Sequence, residues 1–516
     1  MIAWAPNSLT QTTILTGNTV SKPAAGTVLA IRLDASSEIP LFQQLYSGIR
    51  DSILGGRLPP GSRLPSSRIL SVDLGVSRTT VLTAFEQLTA EGYLEGRVGS
   101  GTRVVTTLPE TLLRTDPGPV SRLSLVGSHL RDRLSRRWLN PAPLEAPALR
   151  PLQPGNPDLT AFPRHVWTRL TAKHWRSAPP ALLGYGDAMG YQPLRAAIAD
   201  YAQRIRGVRC RPDQIVIVGG SQQALYLCGQ VLLTPGDVVW MEDPGYPGAR
   251  SVFAAANGTV VPVPVDAEGL VVAARGRKNR PVPQLVYVTP SHQCPLGITM
   301  SLSRRLELLE LASRAGAWIV EDDYDSEYRY FSKPVPSLQS LDANGRVVYV
   351  GTFSKTLLPA LRIGYLILPE PLVETFVRAR AVMDWQHAMV EQVVLADFIT
   401  QGWLERHIRQ TRLRYLERQQ ALVDAIRDEV PDLLEAAPSG AGMYLIAWLR
   451  DGLTDSAVAK SADAAGISVG TLSRFCIRPL RRDGLVLGYG AYDVGQIRAA
   501  VKTLSRALRG AKTAAR

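Results

Sequence analysis

A lysine among apolar residues is the first position in this sequence whose setting indicates chemistry. Lys355 follows the strand-like run "VVYV" and stands beside Leu357, Leu358 and Leu361. An apolar pocket lowers the pKa of a lysine amino group, because desolvation penalises its charged form. A lysine that is neutral part of the time is a nucleophile that can form a Schiff base with an aldehyde. The sequence therefore predicts a reactive lysine at a strand end, where parallel sheets bind their ligands.

An aldehyde cofactor that carries a phosphate needs three further groups, and the sequence offers each of them. The turn "GGSQQAL" opens a predicted helix, so its amides and the Ser221 hydroxyl could hold a phosphate. In "VEDDYDSEY", Asp322 could pair with a ring N–H, and Tyr324 could reach a ring oxygen. Tyr246 of "EDPGYPGAR" offers a flat ring for stacking, and Arg362 adds positive charge near the phosphate.

The order of these motifs is more informative than any one of them. Taken singly, the acidic cluster could be a solvated loop, Tyr246 a core residue and Arg362 half of a surface ion pair. Each motif, however, follows a strand-like run, and the carboxyl ends of parallel strands meet at one edge of a sheet. Their succession predicts a single site for a phosphorylated aldehyde.

The elements that must position this site extend from about residue 155 to residue 508. Apolar runs such as "QIVIVGG", "VVWME", "QLVYVTP", "WIVEDDY" and "VVYVGT" alternate with helical stretches. This alternation predicts an α/β domain with a mostly parallel sheet.

A smaller, helical region precedes this domain. "PLFQQLYSGIRDSILGGRL" has the apolar spacing of a helix, and "SSRILSVDLG" reads as a short helix. "SRTTVLTAFEQLTAEG" predicts a second long helix that begins after Ser77 and buries Val81, Ala84, Phe85 and Leu88. "YLEGRVGSGTRV" predicts a β-hairpin with a glycine-containing tip. These elements predict a winged helix-turn-helix.

Basic and small polar residues stand where such a domain touches DNA. For any single arginine, solvation of a small domain is the simpler explanation. Three arginines combined with a glycine-tipped wing favour DNA binding. The predicted DNA-binding residues are Arg63, Arg68, Arg78, Thr79, Thr80 and Gly99.

Both regions resemble known families. The stretch "IPLFQQLYSGIRDSILGGRLPPGSRLPSSRILSVDLGVSRTTV" with its terminal "GSGT" resembles the DNA-binding domain of the GntR family. The large region resembles the fold-type I aminotransferase domain. The two in this order, with strings such as "EDDYDSEYRY" and "GTFSKTLLPALRIGY", resemble the MocR family of bacterial regulators. In that family, arginines matching the three above contact operator DNA, and the members are head-to-tail homodimers.

The resemblance also implies a role for each motif residue. Lys355 would carry pyridoxal 5′-phosphate as a Schiff base, with Asp322 at the pyridine nitrogen. Tyr324 would reach the phenolic oxygen, and Tyr246 would stack on the ring. Four residues would surround the phosphate: Ser221, Gln222, Ser354 and Arg362.

One loop departs from the aminotransferase pattern. "TPSHQCPLG" carries Cys294 where the family usually has an asparagine before the Pro-x-Gly. His292 or Gln293 is then the substitute, and we expect His292 among the cofactor-binding residues.

The composition sets limits on the class of protein. With 516 residues, 45% of them hydrophobic, the chain predicts several domains with large cores. The net charge of +13 fits a nucleic-acid partner but is also common in other soluble proteins. Without a signal peptide, an apolar run of about 20 residues or a zinc-like cysteine spacing, we expect a cytoplasmic protein with no membrane partner.

These patterns divide the chain into four predicted parts. Residues 1–37 are expected to form a flexible tail and residues 38–106 the DNA-binding domain. Residues 107–154, rich in proline, arginine and leucine, predict a linker with a short helix near 130–138. Residues 155–510 form the predicted cofactor-binding domain.

Three functions fit the sequence. The first is a transcriptional regulator that binds operator DNA, holds the cofactor on Lys355 and senses an amine, an amino acid or the cofactor itself. The alternative is a working aminotransferase with an accessory DNA-binding domain. A regulator that has lost cofactor binding is the third. The strand "GLVLGYGAY" lacks the arginine with which aminotransferases usually grip a substrate carboxylate, although Arg474 and Arg478 precede it, and this favours sensing over turnover.

Overall fold

The computed structural model describes residues 31, 33–97, 101–106, 149–272, 280–331, 335–450 and 452–514. The predicted tail, most of the predicted linker with its short helix, and Gly99 lie outside these residues. By its internal contacts the chain divides into two compact units, Met1–Leu125 and Val126–Arg516.

The small unit contains three helices and a hairpin, as predicted. Ser66 and Ser77 cap the second and third helices, because each side chain accepts a hydrogen bond from a backbone N–H of the first turn. In the hairpin, Leu94 pairs with Val104 in antiparallel register. The elements are α1 (Leu41–Leu54), α2 (Ser67–Asp73), α3 (Arg78–Ala90), β1 (Leu94–Arg97) and β2 (Gly101–Val104).

The core of the small unit is formed by the predicted apolar positions. Helices α1 and α3 pack together, and Ile49 of α1 and Val81 of α3 are fully buried in the shared core. The four residues predicted to face inward from α3 are all buried: Val81, Ala84, Phe85 and Leu88. On the opposite side of α3, Arg78 and Thr79 of the first turn are exposed.

The large unit is built on a sheet whose described residues form eight strands in the order β3-β10-β9-β8-β7-β4-β5-β6. The neighbours from β9 to β5 run parallel, whereas β10 is antiparallel to both β3 and β9. The prediction of a mostly parallel sheet is therefore confirmed, with β10 and the short β6 as the antiparallel members. The strands are β3 (Ile215–Val218), β4 (Val238–Asp243), β5 (Thr259–Asp266), β6 (Gly269–Leu270), β7 (Leu285–Val288), β8 (Trp318–Asp323), β9 (Val347–Thr352) and β10 (Gly364–Ile367).

Helices cover the large sheet, which explains why its central strands are apolar on both faces. Every residue of the central strands β7 and β9 is buried. The helices of this part are α4 (Arg164–Arg176), α5 (Pro180–Leu183), α6 (Gln192–Arg206), α7 (Ser221–Leu232), α8 (Pro247–Ala255), α9 (Leu302–Ala315), α10 (Leu338–Leu341), α11 (Glu370–Met383), α12 (Met389–Thr400) and α13 (Trp403–Glu429).

A second, antiparallel sheet follows α13, in the order β11-β12-β14-β13. In its strand β14, Leu485 and Leu487 pack in the core of the unit, so the residue between them faces the other way. The elements are β11 (Leu434–Ala436), β12 (Tyr444–Leu449), α14 (Asp455–Ala464), β13 (Gly470–Thr471), β14 (Gly484–Gly488) and α15 (Val494–Ala514).

The segment at residues 152–155 ties this second sheet to the edge of the first. The Gly488 amide donates to the Leu152 carbonyl over 2.8 Å, and a Cβ at Gly488 would lie 2.2 Å from the Gln153 carbonyl oxygen. Such an approach is open only to glycine. Within the described ranges, no helix has both the length and the apolar character needed to cross a membrane.

Candidate functional site

Lys355 lies in a cavity of about 330 Å³ at the carboxyl edge of the large sheet. Its side chain is half-buried, and Nζ donates a hydrogen bond of 2.6 Å to the Gly155 carbonyl. Desolvation lowers the pKa of Lys355, against the opposing effect of the negative charges of Asp325 and Asp322. The lysine is thus placed where a neutral, nucleophilic amine is favoured, as its apolar company predicts.

Asp322 also lines the cavity, and only one of its two carboxylate oxygens has a hydrogen-bond partner among the described residues. Its Oδ2 accepts a hydrogen bond of 2.8 Å from the Tyr287 hydroxyl. Its Oδ1 is buried and has no hydrogen-bond partner among the described residues. Burial raises the pKa of Asp322 to about 7, and the charges of Asp323 and Asp325 act in the same direction. A buried acceptor without a partner is costly, so this oxygen has the character of a ligand contact.

An anion-binding corner lies at the start of α7. Ser221 is the first residue of this helix, whose N-terminal amides and dipole favour negative charge. Gly220 precedes it at φ +103°, and a Cβ there would lie 3.2 Å from Nη2 of Arg362. Arg362 itself has φ +50°, a left-handed conformation that is uncommon for a residue with a side chain. The strained backbone at Arg362 therefore holds this guanidinium beside the start of the helix.

Tyr246 and Gln222 form the adjoining wall. The Tyr246 hydroxyl donates to Gln222 Oε1 over 3.2 Å, and Gln222 Nε2 donates to the Gly248 carbonyl over 3.1 Å. Burial, followed by the charge of Asp322, raises the pKa of Tyr246 to about 12, which keeps the phenol neutral. Ser354 lines the same cavity next to Lys355.

Tyr324 connects the cavity to a buried polar cluster. Its hydroxyl lies 2.8 Å from the Tyr444 hydroxyl and donates to the His292 carbonyl over 2.8 Å. Behind it, His292 Nδ1 lies 3.0 Å from Asp325 Oδ2, and both side chains are buried. Tyr324 and Asp325 line the cavity.

The prediction of a cofactor contact for His292 is not supported by this geometry. His292 does not line the cavity, because Tyr324 and Tyr444 stand in front of its ring. Gln293 is also turned away, and its amide donates to Glu242 and to the Pro244 carbonyl. Of residues 292–294, Cys294 lines the cavity, as do Thr289 and Pro295 at either side of them in the loop.

The structure thus brings eight of the nine predicted cofactor-site residues into one cavity wall. These are Ser221, Gln222, Tyr246, Asp322, Tyr324, Ser354, Lys355 and Arg362. Among the other lining residues, sequence reasoning missed Gly155, Tyr287, Asp325 and Tyr444. A polar tyrosine in the apolar strand "LVYV" was a usable signal for Tyr287. The other three carry no local pattern that separates them from ordinary loop residues.

The predicted DNA-binding arginines are exposed on the small unit. Arg68 lies in the first turn of α2 and Arg78 begins α3, where its Nε lies 3.4 Å from the Ser67 hydroxyl. Arg63 packs along the hairpin, since a Cβ at Gly101 would lie 3.0 Å from its Nε. Two of these exposed guanidinium groups lie in the first turns of α2 and α3, and the third lies beside the hairpin.

The two predicted threonines have different surroundings. Thr79 is exposed in the first turn of α3. The Thr80 hydroxyl lies 2.8 Å from the Ser77 hydroxyl, and the Thr80 amide donates to Ser77 over 3.0 Å. Thr80 therefore has a structural role in the helix cap in addition to any contact with DNA.

Comparison with protein families assigns both units. The family model "Aminotransferase class I and II" matches residues 155–479, and the model "Bacterial regulatory proteins, gntR family" matches residues 41–104. Among solved structures, LysN, the α-aminoadipate aminotransferase of Thermus thermophilus, is 28% identical with a TM-score of 0.65. It covers 71% of this chain and 93% of its own, and was solved with N-(5′-phosphopyridoxyl)-L-leucine. A kynurenine aminotransferase from Pyrococcus horikoshii, solved with PMP, is 29% identical over 74% of this chain and 94% of its own, at a TM-score of 0.64.

A DNA-binding unit of the GntR type joined to an aminotransferase domain defines a class of transcriptional regulator. Two curated relatives have this architecture along nearly their whole length. The probable rhizopine catabolism regulatory protein MocR of Rhizobium meliloti is 40% identical over 92% of this chain and 95% of its own. The pyridoxine biosynthesis regulator PdxR of Corynebacterium glutamicum is 31% identical over 93% of this chain and 98% of its own. The chain belongs to the MocR family of DNA-binding transcriptional regulators.

The cofactor of this family's large domain is pyridoxal 5′-phosphate, and the described side chains fit it. The unpaired Oδ1 of Asp322 offers an acceptor for a pyridinium N–H, and Lys355 offers an amine for an aldehyde. The start of α7 with Arg362 offers a phosphate site in the same cavity.

Proposed function

We propose that the small unit binds operator DNA and that the large unit holds pyridoxal 5′-phosphate on Lys355 as the sensing element. The effector is an amine, an amino acid or the cofactor itself. The cofactor, when bound, supplies an aldehyde carbon that condenses with primary amines. The observation that carries the proposal is Asp322 Oδ1, a buried acceptor without a partner in the cavity that contains Lys355.

Each residue of the cavity has a distinct task in this proposal. Lys355 attaches the cofactor, and Asp322 binds its ring nitrogen. Tyr324 binds the ring oxygen, and Tyr246 covers the ring. The phosphate is bound by Ser221, Gln222, Ser354 and Arg362.

In the small unit, Arg63, Arg68 and Arg78 bind DNA, with Thr79 at the same face. Phosphate contacts by arginine make the affinity fall steeply with salt, whereas a base contact makes it depend on sequence. We propose that Gly99 lets the wing approach the DNA backbone closely.

We further propose that the protein acts as a head-to-tail homodimer in the cytoplasm. The large unit exposes two neighbouring aromatic side chains, Tyr185, 91% exposed, and Trp385, 48% exposed. Their rings contact each other, and Trp385 Nε1 donates to the Gly186 carbonyl. Val382, 89% exposed, lies on the helix α11 that precedes Trp385 in the chain. Large apolar side chains grouped in this way are typical of a subunit interface. Light scattering at micromolar concentration should give the mass of a dimer, and a monomer would contradict this part of the proposal.

An absorbance titration of the purified protein tests the sensing role. We expect a visible band from the lysine-bound cofactor that shifts when an amine is added, without release of a keto product. We expect no multiple-turnover transamination with amino acids and 2-oxoglutarate. Turnover near the usual enzyme median of about 10 per second would instead establish an aminotransferase.

A further inference from the structure

We infer that the effector of this site is an amine that carries no carboxylate, and that Val486 is the residue that sets this preference. The inference rests on the proposed sensing role of the Lys355 cavity and names the ligand class for it. It follows from the charges of the cavity wall and from the side chain that β14 presents to it.

Within the described lining of the cavity, no cation is left over for a ligand carboxylate. Among the described residues that line the cavity, Lys355 and Arg362 are the cationic ones, and Asp322 and Asp325 are the acidic ones. Lys355 attaches the cofactor, and Arg362 lies at the start of α7, where the phosphate binds. With Asp322 at the ring nitrogen, the charge of the lining that remains for the effector is that of Asp325, which attracts ammonium groups and repels carboxylates.

Val486 occupies the wall at the second sheet. It is 1% exposed and lines the cavity, whereas its neighbours Leu485 and Leu487 pack in the core. Met443 and Phe475 stand beside it in the lining. A carboxylate against these apolar groups would lose its hydration without gaining a partner. The strand therefore presents an apolar surface where a guanidinium would be required for an amino acid.

The nearest arginine of the preceding loop does not fill this role. Arg474 is exposed, and its own side chain is not part of the lining. The following residue, Phe475, enters the cavity, and its carbonyl accepts a hydrogen bond of 2.9 Å from the Gly245 amide. This anchor fixes the backbone at Phe475, whose side chain enters the lining, whereas Arg474 is exposed and its charge acts on the cavity wall only as an opposing effect on the pKa of Tyr246, which burial raises.

Asp325 also favours a particular kind of amine as the effector. Its carboxylate is buried, lines the cavity and is contacted by His292 Nδ1 at 3.0 Å. In the tautomer with its proton on Nδ1, His292 donates a hydrogen bond to this carboxylate. With the Tyr444 hydroxyl in the same wall, it offers acceptors for hydroxyl or ammonium groups of the effector. A polar amine rather than a purely aliphatic one suits this arrangement.

Matched pairs of compounds that differ only by the carboxylate test the inference. The pairs are tyramine and tyrosine, ethanolamine and serine, and 1,4-diaminobutane and ornithine. The half-saturating concentration for the spectral change is measured for each compound on the cofactor-loaded, full-length protein. The same pairs with free pyridoxal 5′-phosphate correct for intrinsic reactivity. After correction we expect the amine of each pair to bind about 10- to 100-fold more tightly than the amino acid.

Two variants locate the preference. Val486→Arg supplies a guanidinium at the wall and should improve amino-acid binding about tenfold relative to the matched amine. Val486→Met lengthens the side chain without charge and should leave the preference in favour of amines. If Val486→Arg does not fold, the pairs on the unmodified protein still decide the question.

The outcomes separate this inference from the proposed function. Equal or tighter binding of the amino acids, with the visible band intact, would overturn the inference alone. If Arg474→Ala then weakened only the amino acids, Arg474 would be the carboxylate-binding residue instead. Failure of all six compounds to change the spectrum would also overturn it. An absent visible band before any addition would refute the proposed function, and this inference would fall with it.

Discussion

The two units of this chain present their functional side chains in opposite ways. The small unit leaves Arg63, Arg68 and Arg78 exposed on a small, closed core. The large unit encloses Asp322 and Lys355 in a cavity lined by tyrosines. A long polyanion needs accessible charges that it can reach from outside, whereas a small cofactor needs enclosure and a few unpaired polar atoms.

Enclosure in the cavity shifts the pKa values of side chains and so changes their chemistry. Exposed side chains can contribute through their ordinary charge. In the cavity, burial lowers the pKa of Lys355, raises that of Asp322 to about 7 and raises that of Tyr246 to about 12. In the proposed function, the arginines of the small unit act through fixed positive charge and position alone. Loss of one cavity residue should therefore abolish a property, whereas loss of one arginine should weaken binding by degrees.

Replacement of Lys355 gives the largest expected effect. Lys355→Ala should lose the visible band of the lysine-bound cofactor entirely, because the amine that forms the Schiff base is gone. Absorbance spectra of the purified variant measure this. Lys460→Ala, at an exposed position of α14, is the matched control and should keep the band. An unchanged band in Lys355→Ala would mean that another lysine attaches the cofactor.

The pH dependence of the cofactor-free protein should show the raised pKa of Asp322. Because its pKa is about 7 in the folded protein and 3.8 in the reference state, its contribution to stability is present below about pH 4 and is lost as the pH rises through 7. Relative to Asp322→Asn, the unmodified protein should lose up to about 1.4 kcal/mol per pH unit across this window.

Denaturant midpoints of the two proteins at several pH values provide the measurement. The cofactor should abolish the difference, because a pyridinium partner favours the charged carboxylate. Parallel pH profiles of the two cofactor-free proteins would show that Asp322 is not the titrating group.

A smaller effect is expected at the DNA-binding face. Arg78→Ala should weaken specific binding by about 1–3 kcal/mol if the side chain reads a guanine edge. The triple replacement of Arg63, Arg68 and Arg78 should also flatten the dependence of affinity on salt. Mobility shifts over a range of salt concentrations test both. Arg314→Ala, an arginine 73% exposed on the large unit, is the control. Unchanged affinity in the triple variant would rule out this face.

The smallest expected effect distinguishes a residue that stabilises α3 from one that contacts DNA. Ser77→Ala removes the side chain that caps this helix and should destabilise the small unit by about 1 kcal/mol. Specific binding at low temperature should change little, in contrast to Arg78→Ala. Thermal unfolding and mobility shifts on the same samples compare the two. A loss of binding as large as that of Arg78→Ala would assign Ser77 to the DNA contact itself.

Much of the fold and of the site was predictable because apolar and polar residues repeat at the spacing of a helix or a strand. The caps and buried face of α3, the strand ends and the step from Asp322 to Tyr324 all obey helical or strand spacing. The antiparallel direction of β10 has no such local signal, since it depends on how the chain returns to the sheet.

Loops account for the one predicted cofactor-site residue that lies outside the cavity lining and for the lining residues that were not predicted. Residues 292–294 lie in a loop without a period, so sequence order does not reveal which of the three side chains faces the cavity. Cys294 lines it, and His292 does not. Gly155 and Tyr444 reach Lys355 and Tyr324 across sequence separations of 200 and 120 residues, which only tertiary packing specifies.

The central claim is that the cofactor site on Lys355 controls DNA binding by the same chain. The most direct measurement is the affinity for a DNA duplex that the protein itself selects from a random pool, with and without pyridoxal 5′-phosphate. In the unmodified protein we expect the cofactor to change this affinity by about 5- to 150-fold, the usual range of coupling between two sites. Lys355→Ala should show little or no change. Equal affinities of the unmodified protein with and without the cofactor, at saturating visible absorbance, would contradict the account.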